Sequence, residues 1–243
     1  MTTVADGHAP ASAPSTPTAQ SRIFPLRWRR TVLVALLILF GGGVLAHLWP
    51  LLRSLALAIT TPLLLLTNAA VLLAVLDDER MIALRCWCAG AWALTVALEI
   101  VGVATGRVFG AYHYGTTLGG QLAGVPLLIG LNWVTLLLGA LALTEHVWPD
   151  PGRRWLRPAA AAALLTGFDW VMEPVAVHLG YWHWHTWPHI PAQNYAAWFG
   201  IALGLGSALA AGKLHIRTSL AAAYFGVQLG FFALLRLIPL VLE

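Results

Sequence analysis

Seven stretches of the chain each run for about twenty mostly apolar residues, the length an α-helix needs to cross the hydrocarbon core of a bilayer. They lie at roughly 31–52, 55–76, 81–104, 124–146, 158–178, 195–212 and 218–240. Lipid offers no hydrogen bonds, so each such segment must satisfy its own backbone, and the helix does this within one strand of chain. The expected fold class is therefore all-α: a polytopic membrane helical bundle of about seven transmembrane helices. The composition agrees, with 59% hydrophobic and 10% charged residues and a mean hydropathy of +0.75, outside the range of water-soluble domains. Pro50 and Arg53 leave little room between the first two spans, so a tight loop or a tilted helix is expected there.

The remaining segments are polar. Residues 1–21 are rich in Ala, Pro, Ser and Thr without apolar periodicity and read as a disordered N-terminal tail. Residues 22–243 read as a single transmembrane helical domain. The stretch TGRVFGAYHYGTTLGGQLAG after the third span is aromatic and Gly-rich, and is expected to be amphipathic or re-entrant. Cys86 and Cys88 lie in an apolar run and supply neither a disulfide framework nor a four-ligand zinc site.

Basic residues report topology. With the N-terminus in the cytoplasm, Arg22, Arg27, Arg29, Arg30, Arg80, Arg85, Arg153, Arg154, Arg157, Lys213 and Arg217 fall on the inner side. Arg53 and Arg107 fall on the outer side, and Arg236 lies inside the last span. This asymmetry fits the positive-inside rule and a multi-pass protein of the plasma membrane. It also removes a nucleic-acid partner from consideration, because the positive charge follows topology instead of forming a binding patch.

That orientation sends the ionisable residues of the spans to one half of the membrane. Glu99 lies past the middle of the third span, and an acid within a span is a functional candidate by default. Asp169 and Glu173 are i and i+4 on the fifth span, so one helix face carries both, and Pro174 disturbs the helix beside them. Two carboxyls this close in a low-dielectric setting do not both ionise readily, so one is expected to keep its proton. The alternative is neutralisation by Arg107 or a histidine. Asn132 and Trp133 lie in the fourth span, where the amide needs a partner. The pairs Gly102/Gly106 and Gly200/Gly204 suggest close helix packing. His178, His183, His185 and His189 could supply imidazoles to a metal, but the boxed histidine spacings of membrane di-iron enzymes are missing. Metal and cofactor are accordingly expected to be none.

Three blocks carry a resemblance: GRVFGAYHYGTTLGGQLAGVPLLIGLNW, GFDWVMEPVAVHLGYWHW and IPAQNYAAWFG. Together, over about residues 95–205, they resemble the CruF-type carotenoid 1,2-hydratases, a membrane family that includes gamma-carotene hydratases. Glu99, Tyr112, Asn132, Asp169, Glu173 and Asn194 are motif positions of that resemblance. It implies addition of water across the terminal C1–C2 double bond of an acyclic carotenoid end group such as that of lycopene, giving a tertiary alcohol. The substrate would come from the bilayer, with water as co-substrate and lipids as surroundings.

Such chemistry needs an acid to protonate the alkene, walls that tolerate a transient tertiary cation, and a placed water. Asp169, Glu173 and Glu99 are the candidate acids. Trp170, Trp182, Trp184, Tyr112 and Tyr114 are candidate walls, with His113, Asn132 or Asn194 to position water. Two other readings fit the same residues: a metal-dependent membrane carotenoid hydroxylase, and a carotenoid-binding or transport protein without catalysis.

Overall fold

The computed structural model describes residues 26–216 and 218–238, so the tail 1–21, Arg22 and Arg217 lie outside the described residues. Seven helices form the bundle: α1 (Leu26–Leu48), α2 (Pro50–Glu79), α3 (Ile82–Thr105), α4 (Leu127–Val147), α5 (Arg157–His178), α6 (Ala192–Ala211) and α7 (Ser219–Leu237). All seven are long and apolar enough to cross a membrane. Four short strands accompany them: β1 (Tyr112–Tyr114), β2 (Gln121–Leu122), β3 (Val125–Pro126) and β4 (Trp182–Trp184).

Prolines and one glycine punctuate the helices where their backbone chemistry allows. Pro50 opens α2, Pro126 precedes α4 and Pro191 precedes α6, each where a helix has no need of that residue's N–H. A single extended residue, Trp49, separates α1 from α2, so the first connection is tighter than Pro50 and Arg53 suggested. Gly106 ends α3 at φ +66°, its N–H donating to the Gly102 carbonyl.

Helix α4 is the centre of the bundle, packed against α7, α5, α3 and α2, with Leu136, Leu137, Leu138, Ala140 and Ala142 fully buried. Gly139 permits the closest approach, since a Cβ there would lie 2.6 Å from the Ala221 carbonyl on α7. The α5–α6 pair packs extensively, yet Gly200 and Gly204 face open space, so the expected close contact at that pair is not made. Gly102 instead accommodates the Phe109 ring.

Pro174 lies inside α5 and cannot donate to the Trp170 carbonyl one turn earlier. Arg236 of α7 supplies the missing donor through Nη1, and its guanidinium sits 3.9 Å from the centroid of the Trp170 ring. The one cation within the last span thus repairs a backbone defect in a neighbouring helix, as lipid requires.

The segment after α3 consists of turns and short strands. β2 and β3 form a hairpin through Ala123 and Gly124, both at positive φ, the geometry of the favoured two-residue turn. β1 pairs antiparallel with β4, joining the end of α3 to the end of α5.

Candidate functional site

The β1–β4 ribbon decides which rings face inward. Successive side chains of a strand point to opposite faces, and both strands read aromatic, histidine, aromatic. The register pairs Tyr112 with Trp184, His113 with His183, and Tyr114 with Trp182. Tyr112, Trp182 and Trp184 are buried, whereas His113 and His183 are exposed on the other face. The ribbon is held closely at its end, where a Cβ on Gly115 would lie 2.1 Å from the Gly180 carbonyl oxygen.

The inward rings meet two of three buried carboxyls. Glu99 Oε2 accepts hydrogen bonds from the Tyr112 hydroxyl and, at 2.9 Å, from the Tyr114 hydroxyl, while Trp133 Nε1–H donates to Oε1 at 3.1 Å. Glu173 Oε2 accepts from Trp182 Nε1–H at 3.0 Å and Trp184 Nε1–H at 2.7 Å. Asn194 Nδ2–H bridges the acid pair, donating to Asp169 Oδ2 at 2.6 Å and Glu173 Oε1 at 3.2 Å. Asp169 Oδ1, fully buried, has no hydrogen-bond partner among the described residues.

Every donor to these carboxyls among the described residues is neutral. Among the described residues no lysine, arginine or histidine pairs with Glu99, Asp169 or Glu173; the ion pairs, such as Arg157–Glu145 at 3.2 Å, involve other acids. Burial first, and then the Glu99 carboxyl, push the Tyr112 and Tyr114 phenols well above their ordinary range, so both keep the protons they donate. The described residues thus give the three carboxyls hydrogen bonds but no compensating cation.

A cavity of about 300 Å³ opens beside this cluster. Glu99, Glu173, Tyr112, Trp133, Trp182 and Trp184 line its polar end. Elsewhere its wall is largely apolar and includes Ile38, Leu39, Gly42 and Ile59, which are exposed on the α1 and α2 side of the bundle. The lining comes from the C-terminal halves of α1, α3, α5 and α7 and the N-terminal halves of α2, α4 and α6. All seven helices therefore contribute from the same end of the bundle.

The family model described as carotenoid biosynthesis protein matches residues 59–241, from the middle of α2 through α7. The chain belongs to this family. It is also 32% identical over 105 residues to the bisanhydrobacterioruberin hydratase of Haloarcula japonica, an alignment covering 42% of this chain and 36% of that protein. The matched region thus spans about a third of the length of that curated relative. No solved structure matches the chain.

As a member of the carotenoid biosynthesis family, the chain is a multi-pass membrane protein whose acids, ribbon and aromatic walls all lie within the matched region. The structure brings together Glu99, Asp169, Glu173, Tyr112, Tyr114, Trp133, Trp182, Trp184 and Asn194, and places Asn132 on the same cavity. Two candidates lie elsewhere. Trp170 follows Asp169 by about 100° around the helix and faces outward under Arg236, and strand alternation turns His113 away from the cavity. Asp169 lies behind Glu173 and does not line the cavity.

Arg107 is exposed, and its carbonyl accepts from Gln193, so it does not neutralise the acids. His113 approaches His183 and His185, with ring centroids 5.3 and 5.8 Å away, on the ribbon's outer face. Among the described residues no group of three or more His, Cys, Asp or Glu is arranged to hold a metal ion.

The sequence reading missed Trp198, stacked on Trp133 at 3.9 Å between centroids, and Gln228 and Asn68, which join Asn132. Trp198 was detectable, since it lies one helical turn after Asn194 on the same face. The two amides were detectable as polar groups within spans.

Proposed function

We propose that this chain is a carotenoid 1,2-hydratase, adding water across the terminal C1–C2 double bond of an acyclic carotenoid end group. The observation that carries the reading is the cluster of three carboxyls, hydrogen-bonded to neutral donors alone, at the polar end of an apolar cavity. Membership of the carotenoid biosynthesis family and the similarity to a protein named as a hydratase support it.

Glu173 delivers the proton, because it faces the cavity, and Asp169 is held behind it by the common Asn194 clamp. Protonation at C2 leaves a tertiary cation at C1. The indoles of Trp182 and Trp184 then hold the Glu173 carboxylate by charge-assisted bonds, and the surrounding ring faces stabilise the cation by roughly 0.5–2 kcal/mol each. Glu99, held by Tyr112, Tyr114 and Trp133, adds negative potential opposite the developing charge. Water closes the reaction by forming the C1–O bond and returning a proton to a carboxylate.

A cavity of about 300 Å³ suits an end group, while the remaining polyene extends into lipid past Ile38, Leu39, Gly42 and Ile59. The charge asymmetry supports a cytoplasmic N-terminus in the plasma membrane, which puts the acids in the outer half.

The deciding experiment expresses the full chain in a lycopene-producing bacterium grown in oxygen-18 water and weighs the extracted pigments. A product heavier by one or two waters, with the label in the new hydroxyl, is expected. Hydroxyl oxygen drawn from dioxygen would establish a hydroxylase instead, and unchanged pigment co-purifying with the protein would indicate a binding role.

A further inference from the structure

Three carboxamides on three helices form a second polar cluster, Asn68 of α2, Asn132 of α4 and Gln228 of α7, of which Asn132 and Gln228 line the cavity. Asn68 and Gln228 are almost wholly buried, at 0% and 1% exposure. Asn68 Nδ2–H donates to the Leu64 carbonyl at 2.8 Å, and its Oδ1 accepts from the Thr135 hydroxyl. A backbone carbonyl can only accept, so this contact fixes which way the Asn68 amide points.

The remaining orientations follow. Asn68 Nδ2–H also reaches Asn132 Oδ1 at 3.5 Å, and Gln228 Nε2–H donates to that same oxygen at 3.3 Å. Asn132 therefore turns its Nδ2 donor away from Asn68, and Gln228 turns its Oε1 acceptor away from Asn132. Neither atom has a hydrogen bond to the described residues, and both side chains line the cavity. Asn132 immediately precedes Trp133, whose indole holds Glu99.

A donor and an acceptor left over in a largely apolar wall suit a single water molecule, which needs polar partners of both kinds to be oriented. We infer that Gln228, together with Asn132, holds the water that captures the carbocation. The inference rests on the proposed hydratase reading. The alkene π pair takes a proton from the Glu173 carboxyl, leaving a carboxylate and a tertiary cation. Gln228 Oε1 accepts one O–H of the water and aims its lone pair, the C–O bond forms, and the oxonium returns a proton to the carboxylate. No oxidant or reductant is consumed.

Without a held water, the cation's other exit is loss of a proton from an adjacent carbon to the carboxylate, restoring an alkene. In heavy water the acid carries deuterium, so each aborted cycle can mark an unhydrated carotenoid. The test uses membranes containing the full-length wild type or Gln228→Met, supplied with lycopene in heavy water, and reads hydrated and deuterated unhydrated pigment by mass spectrometry. Misplacing the water is expected to lower hydration by roughly 100-fold and to raise the ratio of exchange to hydration by at least about tenfold.

That ratio does not depend on how much enzyme is present, so reduced accumulation of the variant leaves it readable. If Gln228→Met fails to accumulate at all, Gln228→Asn, which withdraws the amide by one methylene, must move the ratio in the same direction. Hydration by the wild type with an unchanged ratio in the variant overturns the inference alone. A wild type that neither hydrates nor exchanges lycopene, or any other acyclic carotenoid supplied, overturns the hydratase reading and the inference with it.

Discussion

In the proposed mechanism the three acids share a cluster but not a role, and substitution separates them. Glu173→Gln is expected to lower hydration by about 10²–10⁴-fold at unchanged abundance, the usual contribution of a positioned acid. Asp169→Asn, behind Glu173, should cause a smaller loss, measured as turnover per mole of membrane protein. Trp184→Phe removes one donor from the buried Glu173 carboxyl and should cost about 1–3 kcal/mol of stability, read from thermal melting in detergent. Tyr181 adds a pH signature. Burial pushes its phenol up to about 12, above the ordinary unfolded value of about 10. The folded state then holds a proton that the unfolded state releases, so stability is intact below pH 10 and falls as pH climbs toward 12. Tyr181→Phe should flatten that alkaline decline. The acid pair was legible because i and i+4 spacing is a local property of one helix. Gln228 and Asn68 stand out as polar groups within spans, but a lone amide in an apolar run gives no sign of which distant helix supplies its partner, so their joining Asn132 was not legible.

At the level of elements, apolar length was enough to mark every helix, and proline explains most of the observed starts. The ribbon was less accessible. Its strands are three residues long and pair positions far apart in the chain, so WHW offers candidate walls and a candidate imidazole alike, without showing the alternation that sends indoles inward and imidazoles outward. Gly115→Val should force the ribbon apart at the Gly180 carbonyl, costing about 1–3 kcal/mol and withdrawing the two indoles from Glu173. Loss of tryptophan fluorescence anisotropy together with activity would register the separation. The α5–α7 contact gives a different outcome. Arg236→Met leaves the Trp170 carbonyl without its donor and should destabilise the bundle by about 1–3 kcal/mol, while the cavity lining and its chemistry stay in place.

For the molecule as a whole, the arrangement joins a polar end to a lipid-facing flank, and the flank can be tested independently of the chemistry. Gly42 lines the cavity, is exposed and has nothing within 4 Å of an added Cβ, so Gly42→Phe can obstruct the mouth without straining the fold. A long carotenoid should then be hydrated more slowly, while a short isoprenoid bearing the same end group is spared; competition between the two substrates measures the difference. On the hydratase reading, the cavity encloses only the tip of its substrate and has no gauge of length. Whatever lies beyond the mouth goes unread, including the far terminus. A symmetric carotenoid would therefore meet the enzyme as two substrates joined by one backbone, and its singly hydrated product, once released, could return to the site by the other end.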